Sequence, residues 1–285
     1  MENILEVKNL SKKYKDFELK DISFALPKGM IMGFIGENGA GKTTTIKAIL
    51  DIIRDYHAEI KIFGLDNRKD GKRIKEDIGV VLDDMFFPEI LTAKDINCVM
   101  KDVYKNWDSG TYFQYLTDFS LPEEKQIKTF SKGMRKKLEI ATALAHHPKL
   151  LILDEPTSGL DPIARNEVID IFQDFIQNEE CSILLSSHIT TDLEHIADYI
   201  TFINKGEILL SKTCDELLEQ YGIVKCTEAE FKKIDEKDFV KYKKTKYNYE
   251  VLVEDRKEFH KKYGVHIIDR ITLEDLMVLM IKGVK

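Results

Sequence analysis

The sequence predicts an α/β fold: a parallel sheet with crossover helices, a helical insertion, and a small α+β appendage after it. Three observations support this prediction. Apolar strand-like runs such as MIMGFIG (30–36) and KLLILDEP (149–156) alternate with segments of helical periodicity, as in a parallel sheet. Residues 84–130 have helical periodicity without a convincing strand. Beyond about residue 220 the chain becomes strongly charged, with strand-like alternation.

The first elements are expected to be strands. ILEVKNL (4–10) alternates apolar and polar residues, and FELKDISFAL (17–26) reads as a second strand that ends at the turn PKG. MIMGFIG is almost unbroken apolar sequence, which is typical of a strand buried on both faces. It leads into glycine-rich sequence and then a helix predicted from Lys42 to Ile53.

The later elements follow the same logic. The insertion contains two helical segments, LTAKDINCVMKDVY (91–104) and GTYFQYLTDF (110–119). Strand–helix alternation then returns with the strand at 149–156, the helix RNEVIDIFQDFIQ (165–177), the strand CSILLSSH (181–188), the helix DLEHIAD (192–198) and the strand-like YITFINKGEIL (199–209). The appendage shows β-like alternation at 232–255, a helix at 256–264, the strand-like VHIID (265–269) and a helix at 273–283.

Composition excludes several classes of protein. The chain has 285 residues, 43% of them hydrophobic and 33% charged, a balance typical of globular proteins. The net charge of −7 disfavours non-specific nucleic-acid binding without excluding a local basic groove. The four cysteines are far apart, so neither a zinc knuckle nor a disulfide framework is predicted, and a reducing compartment fits. The first segment, MENILEVKNL, is charged almost at once, so no signal sequence is expected, and no apolar run approaches the ~18 residues of a membrane span. A role at a membrane would therefore require a second chain that spans it.

The segment GENGAGKT (36–43) matches the phosphate-loop pattern G-x-x-x-x-G-K-[ST], between a buried strand and a helix. Glycines let successive backbone N–H groups face phosphate oxygens, and the helix N-terminus adds its dipole. Lys42 suits the β- and γ-phosphates, and the Thr43 hydroxyl suits Mg²⁺. The alternative, a simple glycine-rich turn, does not account for this context. The predicted nucleotide-binding residues are Gly36, Asn38, Gly39, Ala40, Gly41, Lys42, Thr43 and Thr44.

Two carboxylates end the strand in LLILDEPTSGLD (150–161). Successive strand residues point to opposite sides, so Asp154 and Glu155 should have different roles. Asp154 suits a Mg²⁺ shell, and Glu155 suits the polarisation of an attacking water. His188 ends another buried strand. A single histidine is more often structural, but its place at a strand's carboxyl end favours a contact with the γ-phosphate.

The phosphate loop, FSKGM (130–134), LLILDEPTSGLD and LLSSH (184–188), in that order, resemble the nucleotide-binding subunit of an ATP-binding-cassette (ABC) transporter over about residues 1–215. The resemblance implies a P-loop core sheet, an antiparallel strand subdomain and an inserted helical subdomain. We therefore expect an ATPase domain at 1–219, with its helical subdomain at about 84–145, and an accessory α+β domain at 220–285. The apolar stripe of the last helix resembles the tails of exporter-type members of the family.

The resemblance also implies residue roles. Tyr14 would stack on adenine, although a turn or strand tyrosine is the alternative reading. His188 would be the switch histidine. Ser131 and Gly133 would contact the γ-phosphate of ATP held by a second copy, and Asp161 would reach towards that copy.

Two positions depart from the family pattern. The usual signature LSGGQ is FSKGM here, which places Lys132 where a small residue is usual. After the strand IGVV (78–81) the family has a glutamine that touches Mg²⁺, whereas this chain has Asp83 followed by Asp84. Asp83 is our candidate third metal ligand, and Asp84 remains the alternative.

The function expected from the resemblance is that of an ATPase subunit, dimerised around ATP and Mg²⁺ at the cytoplasmic face of a membrane. It would drive export of a drug, an antimicrobial or amphipathic peptide, or a lipid through a separate permease with about six membrane helices, without a nucleic-acid partner. The alternative is a soluble ABC-type ATPase acting on nucleic acid or translation. Aromatic residues in DDMFFPE (83–89) and Trp107 either form a groove for the permease or fill the subdomain core.

Overall fold

The computed structural model describes residues 2–83, 87–264 and 268–285. The amino-terminal half contains β1 (Asn3–Lys13), β2 (Glu18–Pro27), β3 (Ile31–Ile35), α1 (Lys42–Ile49), β4 (His57–Ile62), β5 (Leu65–Asp66), α2 (Gly71–Lys75), β6 (Ile78–Val81), α3 (Ala93–Val103), α4 (Ser109–Asp118) and α5 (Lys132–Leu144). The remainder contains β7 (Leu150–Asp154), α6 (Pro162–Ile176), β8 (Ser182–Ser187), α7 (Thr190–Ile196), β9 (Tyr199–Asn204), β10 (Glu207–Thr213), α8 (Cys214–Gln220), β11 (Gly222–Cys226), α9 (Glu228–Phe231), β12 (Lys241–Lys244), β13 (Tyr249–Val253), α10 (Arg256–Tyr263), β14 (Ile268–Arg270) and α11 (Leu273–Lys282).

The central sheet has the strand order β10-β9-β3-β8-β7-β6. Neighbouring strands from β9 to β6 are parallel, and β10 joins β9 as an antiparallel edge strand. Every residue of β3, β7 and β8 is buried, as their unbroken apolar sequences predict. Since these three strands are neighbours, their carboxyl ends bring the phosphate loop, Asp154 and the segment before His188 to one edge of the sheet.

An antiparallel sheet of order β2-β1-β4-β5 packs beside the central sheet and shares a hydrophobic core with it. Helix α1 lies in this core. It ends at Ile49, so the predicted extension to Ile53 is wrong. The side-chain amide of Asn67 donates to the carbonyl oxygens of Ala48 and Ile49, which satisfies the helix end, and Asp51 then takes a φ of +51°.

The insertion is helical, as predicted, and forms no strand in its described part between residues 87 and 130. Its core surrounds Tyr112, which is fully buried and donates from its hydroxyl to the carbonyl of Ala93. Trp107 packs against Tyr112 and donates to the side-chain oxygen of Asn97. Trp107 therefore belongs to the subdomain core. Met85 and Phe86 lie outside the described residues.

The appendage is a sheet of order β12-β13-β11-β14. Leu273, Leu276 and Leu279 of α11 are buried in the same hydrophobic cluster as α7, so the predicted stripe packs the appendage onto the ATPase core. The Glu194 carboxylate of α7 accepts a hydrogen bond from the backbone N–H of Leu273. In the predicted strand VHIID, Ile268 and Asp269 are in β14, and residues 265–267 lie outside the described part. The division at residue 220 stays a prediction.

Within the described residues no helix is long and apolar enough to cross a membrane. Cys98 is an exposed free thiol, and the other three cysteines are buried free thiols.

Candidate active site

The phosphate loop joins β3 to α1 in a conformation that needs glycine. Gly41 has a φ of +117°, which disfavours any residue with a side chain. A Cβ on Gly36 would lie 2.4 Å from the carbonyl oxygen of Ile203, so the loop also packs directly on the neighbouring strand. The pattern of glycines in the sequence is thus explained by backbone geometry.

Lys42 begins α1 and is only 6% exposed. Its ammonium donates to the carbonyl oxygen of Gly36 at 2.7 Å and lies 3.3 Å from Oε1 of Glu155. A buried ammonium is costly without such partners. The loop therefore curls around a fixed cation, which is the arrangement that a phosphate-binding lysine requires.

Asp154 ends β7 and is fully buried. Its Oδ2 accepts a hydrogen bond of 2.7 Å from the Thr43 hydroxyl, and its Oδ1 accepts one from the hydroxyl of Ser186 on β8. Ser186 was not predicted from the sequence, because its role depends on the pairing of β7 with β8.

The oxygen atoms at this end of the sheet are suitable ligands for magnesium. A hydroxyl and a carboxylate oxygen, here of Thr43 and Asp154, are the hard ligands that Mg²⁺ prefers. No group of three or more His, Cys, Asp or Glu side chains placed to hold a metal occurs among the residues described. Mg²⁺ commonly takes only about one or two carboxylates and completes its shell with phosphate oxygens and water. The site therefore suits a metal ion that arrives with a nucleotide.

Glu155 lies just after β7 with a φ of +53° and is largely buried. Its Oε2 is 2.7 Å from Nδ1 of His188, and its Oε1 faces Lys42. The different roles of Asp154 and Glu155 stay a prediction, but the two carboxylates face different partners. The reason is the left-handed turn at Glu155 rather than strand alternation, since β7 ends at Asp154.

An open cleft of about 450 Å³ lies over the loop. It is lined by Asp16, Phe17, Glu37, Asn38, Gly39, Gly41, Lys42, Thr43, Thr44, Asp83 and Glu155. Asp83, our candidate in place of the usual glutamine, thus reaches the cleft, whereas Asp84 lies outside the described residues.

The predicted adenine-stacking residue has a neighbour that the sequence analysis missed. Tyr14 is exposed, with the ammonium of Lys12 5.2 Å from its ring centroid, and is not among the residues lining the cleft. Phe17, which bonds to Tyr14 through the backbone, does line it. An aromatic three positions further along the same turn was the available sequence signal. The role of Tyr14 stays a prediction.

Ser131, Gly133 and Asp161 do not line this cleft. The Ser131 hydroxyl caps α5 by accepting from the N–H of Met134. Asp161 caps α6. Its carboxylate accepts hydrogen bonds from two backbone N–H groups of the helix, and these bonds lower the pKa of the carboxyl. The stem of Lys132 lies over Gly159, close enough that a Cβ there would be 3.2 Å from it. The predicted roles of these residues towards a second copy stay predictions.

The loop between Glu155 and Asp161 is also anchored from α7. The hydroxyl of Thr157 donates to Oδ2 of Asp192 at 2.8 Å, and both residues are buried. Arg165 of α6 lies 3.9 Å from the same carboxylate. Sequence reasoning did not find Asp192, because it is a helix residue without a motif of its own.

Comparison with known proteins agrees with this geometry. Residues 19–158 match the family model described as ABC transporter. The bacitracin transport ATP-binding protein BcrA of Bacillus licheniformis is 35% identical over 223 residues, which cover 76% of this chain and 72% of that protein. The lantibiotic transport ATP-binding protein SrtF of Streptococcus pyogenes is 36% identical over 215 residues, 74% of this chain and 92% of that protein.

A solved structure of an ATP-binding subunit of an ABC transporter superposes with a TM-score of 0.69 at 28% identity, covering 75% of this chain and 91% of that one. These similarities confirm the predicted α/β ABC ATPase fold. They give no support to the alternative of an ATPase acting on nucleic acid or translation.

Proposed function

This chain belongs to the ABC transporter family as an ATP-binding, ATP-hydrolysing subunit, and on that premise we propose that two copies close around ATP and Mg²⁺ to drive export through a separate membrane permease. The observation that carries the proposal is that Lys42, Thr43 and Glu155 line one cleft, with Thr43 bonded to Asp154 and Glu155 in contact with His188 behind them.

The chemistry follows from these contacts. The loop N–H groups and Lys42 hold the phosphates, so the Lys42 ammonium exchanges its contact with Glu155 for one with phosphate oxygens. Glu155 is then available to orient and polarise a water, while His188 holds its second oxygen. Mg²⁺, held by Thr43 and Asp154, would neutralise charge on the phosphates.

A second copy would complete the site. Ser131 and Gly133 stand at the N-terminus of α5, where backbone N–H groups and the helix dipole favour an anion. Since these residues do not line their own chain's cleft, we propose that they contact ATP bound by the other copy. Asp161 precedes α6 and would lie at the same interface.

A groove between the ATPase core and the helical insertion is the proposed permease site. It contains a cavity of about 390 Å³ lined by Leu50, Ile52, Lys72, Lys75, Glu76, Ile78, Val80, Val103 and Tyr104. Ile52 and Val103 both line this cavity and are 52% and 56% exposed, so they add apolar surface that a partner could bury. An amphipathic helix of the permease would cover them and hold the subunit at the cytoplasmic face of the membrane.

The cargo class is also a proposal. The two relatives are described by name as bacitracin and lantibiotic transport proteins. We therefore favour an antimicrobial or amphipathic peptide, before drugs or lipids, as the exported molecule.

The test has two parts. The purified chain should hydrolyse ATP in the presence of Mg²⁺, and a tagged chain should co-purify from detergent-solubilised membranes with a protein of about six hydrophobic segments. Reconstitution of that pair should yield ATPase activity stimulated by the cargo peptide. Stimulation by RNA or DNA, with no membrane partner recovered, would contradict the proposal.

A further inference from the structure

The helix that carries Ser131 also contains a buried cation. Lys136 of α5 is 4% exposed, and its Nζ donates a 2.8 Å hydrogen bond to the carbonyl oxygen of Leu82. The same ammonium lies 3.0 Å from Oε2 of Glu139, one turn further along the helix and 8% exposed. Among the described residues, this lysine thus contacts one carboxylate and one backbone oxygen.

A buried ion pair of this kind contributes little to the free energy of unfolding. Burial of an ammonium and a carboxylate costs several kcal/mol per ion, and a well-packed apolar pair at the same place is often equally stable. The charged pair differs from an apolar pair in one respect: the ammonium makes a directional hydrogen bond, which fixes the carbonyl oxygen of one particular residue.

The packing of α5 on β6 determines which backbone oxygen Lys136 reaches. A Cβ on Gly79 of β6 would lie 2.5 Å from the carbonyl oxygen of Ala143, so helix and strand touch closely there. Lys136 precedes Ala143 by seven residues, about 10.5 Å of helix, and Leu82 follows Gly79 by three residues, about 10 Å of strand. The helix runs antiparallel to the strand, and Lys136 meets the backbone where β6 has just ended.

The bonded carbonyl belongs to the peptide unit that carries the N–H of Asp83. Because that peptide unit is planar, a hydrogen bond to the Leu82 oxygen also fixes the orientation of the Asp83 N–H, and with it the backbone that carries the Asp83 side chain. Asp83 is exposed on the cleft, whose lining also includes Lys42, Thr43 and Glu155. We propose that Lys136 is a positioning residue that holds Asp83 at the nucleotide cleft, so that its carboxylate faces the Mg²⁺ that accompanies ATP.

This inference rests on the proposed function, since it takes Asp83 as a group that acts on Mg²⁺. It also connects two parts of the site. Ser131 is the N-cap of α5 and Lys136 lies within that helix, so a movement of α5 would displace both together.

The test measures binding rather than turnover. A fluorescent ATP analogue is titrated onto the full-length chain without Mg²⁺ and then across a Mg²⁺ series, for wild type, Lys136→Met and Asp83→Asn. Mutation of a residue that orients a metal ligand typically lowers metal affinity by about 10–100-fold. We expect Lys136→Met to raise the half-saturating Mg²⁺ concentration about tenfold, while binding without Mg²⁺ stays within about twofold. Lys136→Arg, which keeps a long cationic donor, should restore most of the difference.

Lys137→Met is the matched control, because Lys137 is on the same helix but pairs with Glu167 of α6 at 2.6 Å. It should leave the Mg²⁺ dependence within about twofold of wild type. The double variant Lys136→Met with Asp83→Asn should be no worse than Asp83→Asn alone, since both act on one contact. If Lys136→Met does not fold in a thermal melt, Lys136→Gln takes its place, since its amide is too short to reach Leu82.

An unchanged Mg²⁺ dependence in folded Lys136→Met, or additive effects in the double variant, would overturn the inference and leave the proposed function intact. Failure of the wild-type chain to bind the analogue at all would instead refute the proposed function.

Discussion

Lys42 and Glu155 form an ion pair at the cleft, with the ammonium 3.3 Å from Oε1 of the carboxylate. The proposed phosphate-binding cation and the proposed general base are thus in direct contact, and His188 contacts the second carboxylate oxygen at 2.7 Å. Under the proposed function, a γ-phosphate would compete with Glu155 for the same ammonium. The arrival of ATP would then free the carboxylate to polarise a water.

Glu155→Gln should bind ATP but not turn it over. The amide keeps the shape of the side chain and cannot polarise water as a carboxylate does, so we expect ATPase activity to fall at least about 100-fold. Size-exclusion chromatography with ATP should show a stable dimer. Normal steady-state hydrolysis by this variant would remove Glu155 from the mechanism.

Lys42→Met should abolish stabilisation by ATP. A ligand present at 100 times its Kd stabilises a protein by about 2.7 kcal/mol, which is readily seen as a raised Tm. Wild type should show such a shift with ATP and Mg²⁺, and Lys42→Met should show none. Lys47→Met, on the same helix but outside the lining of the cleft, is the control and should retain the shift.

Tyr14→Ala and Phe17→Ala should separate the two candidate adenine contacts. Stacking of a base on an aromatic ring contributes about 1–3 kcal/mol, so loss of the true partner should weaken ATP binding by roughly 5–150-fold. Binding of inorganic triphosphate, which has no base, should be unaffected in both variants. Because Phe17 lines the cleft, we expect Phe17→Ala to weaken ATP binding; an effect confined to Tyr14→Ala would assign the adenine contact to the residue first predicted.

Thr157→Val should destabilise the chain by about 1–3 kcal/mol, because it leaves the buried Asp192 carboxylate without its hydroxyl donor. Denaturant unfolding measures this. Thr157→Ser, which retains the donor, should cost less than half as much. Equal losses in both variants would mean that the hydroxyl bond does not anchor this loop.

Val103→Glu should weaken association with the permease and leave ATP hydrolysis by the isolated subunit unchanged. A charge at this exposed apolar position opposes burial against an apolar helix face. The measurement is recovery of the membrane protein with a tagged subunit. Val103→Leu should retain recovery, and undiminished recovery with Val103→Glu would place the permease elsewhere.

Much of this protein was predictable because its signals are local. The phosphate loop, the acidic strand end and the strand before His188 are short runs in which residue type, periodicity and position coincide. The helical insertion and the last two helices of the appendage were readable for the same reason, whereas β11, which joins β13 to β14, was not predicted. Helix α1 shows the limit: its sequence continues the helical pattern to Ile53, but Asn67 satisfies the helix end at Ile49.

The order of elements, the buried strands and the candidate nucleotide-binding residues follow from local sequence patterns. The contacts among those residues depend on how the elements pack in three dimensions. Thr43 and Asp154 are 111 residues apart and bond because β3, β8 and β7 are neighbours in the sheet, and that same adjacency places Ser186 on the other oxygen. Lys136 meets Leu82 because α5 and β6 pack in one register. Periodicity reports which face of an element is buried, whereas side-chain partners depend on strand order and packing register, which no short segment contains.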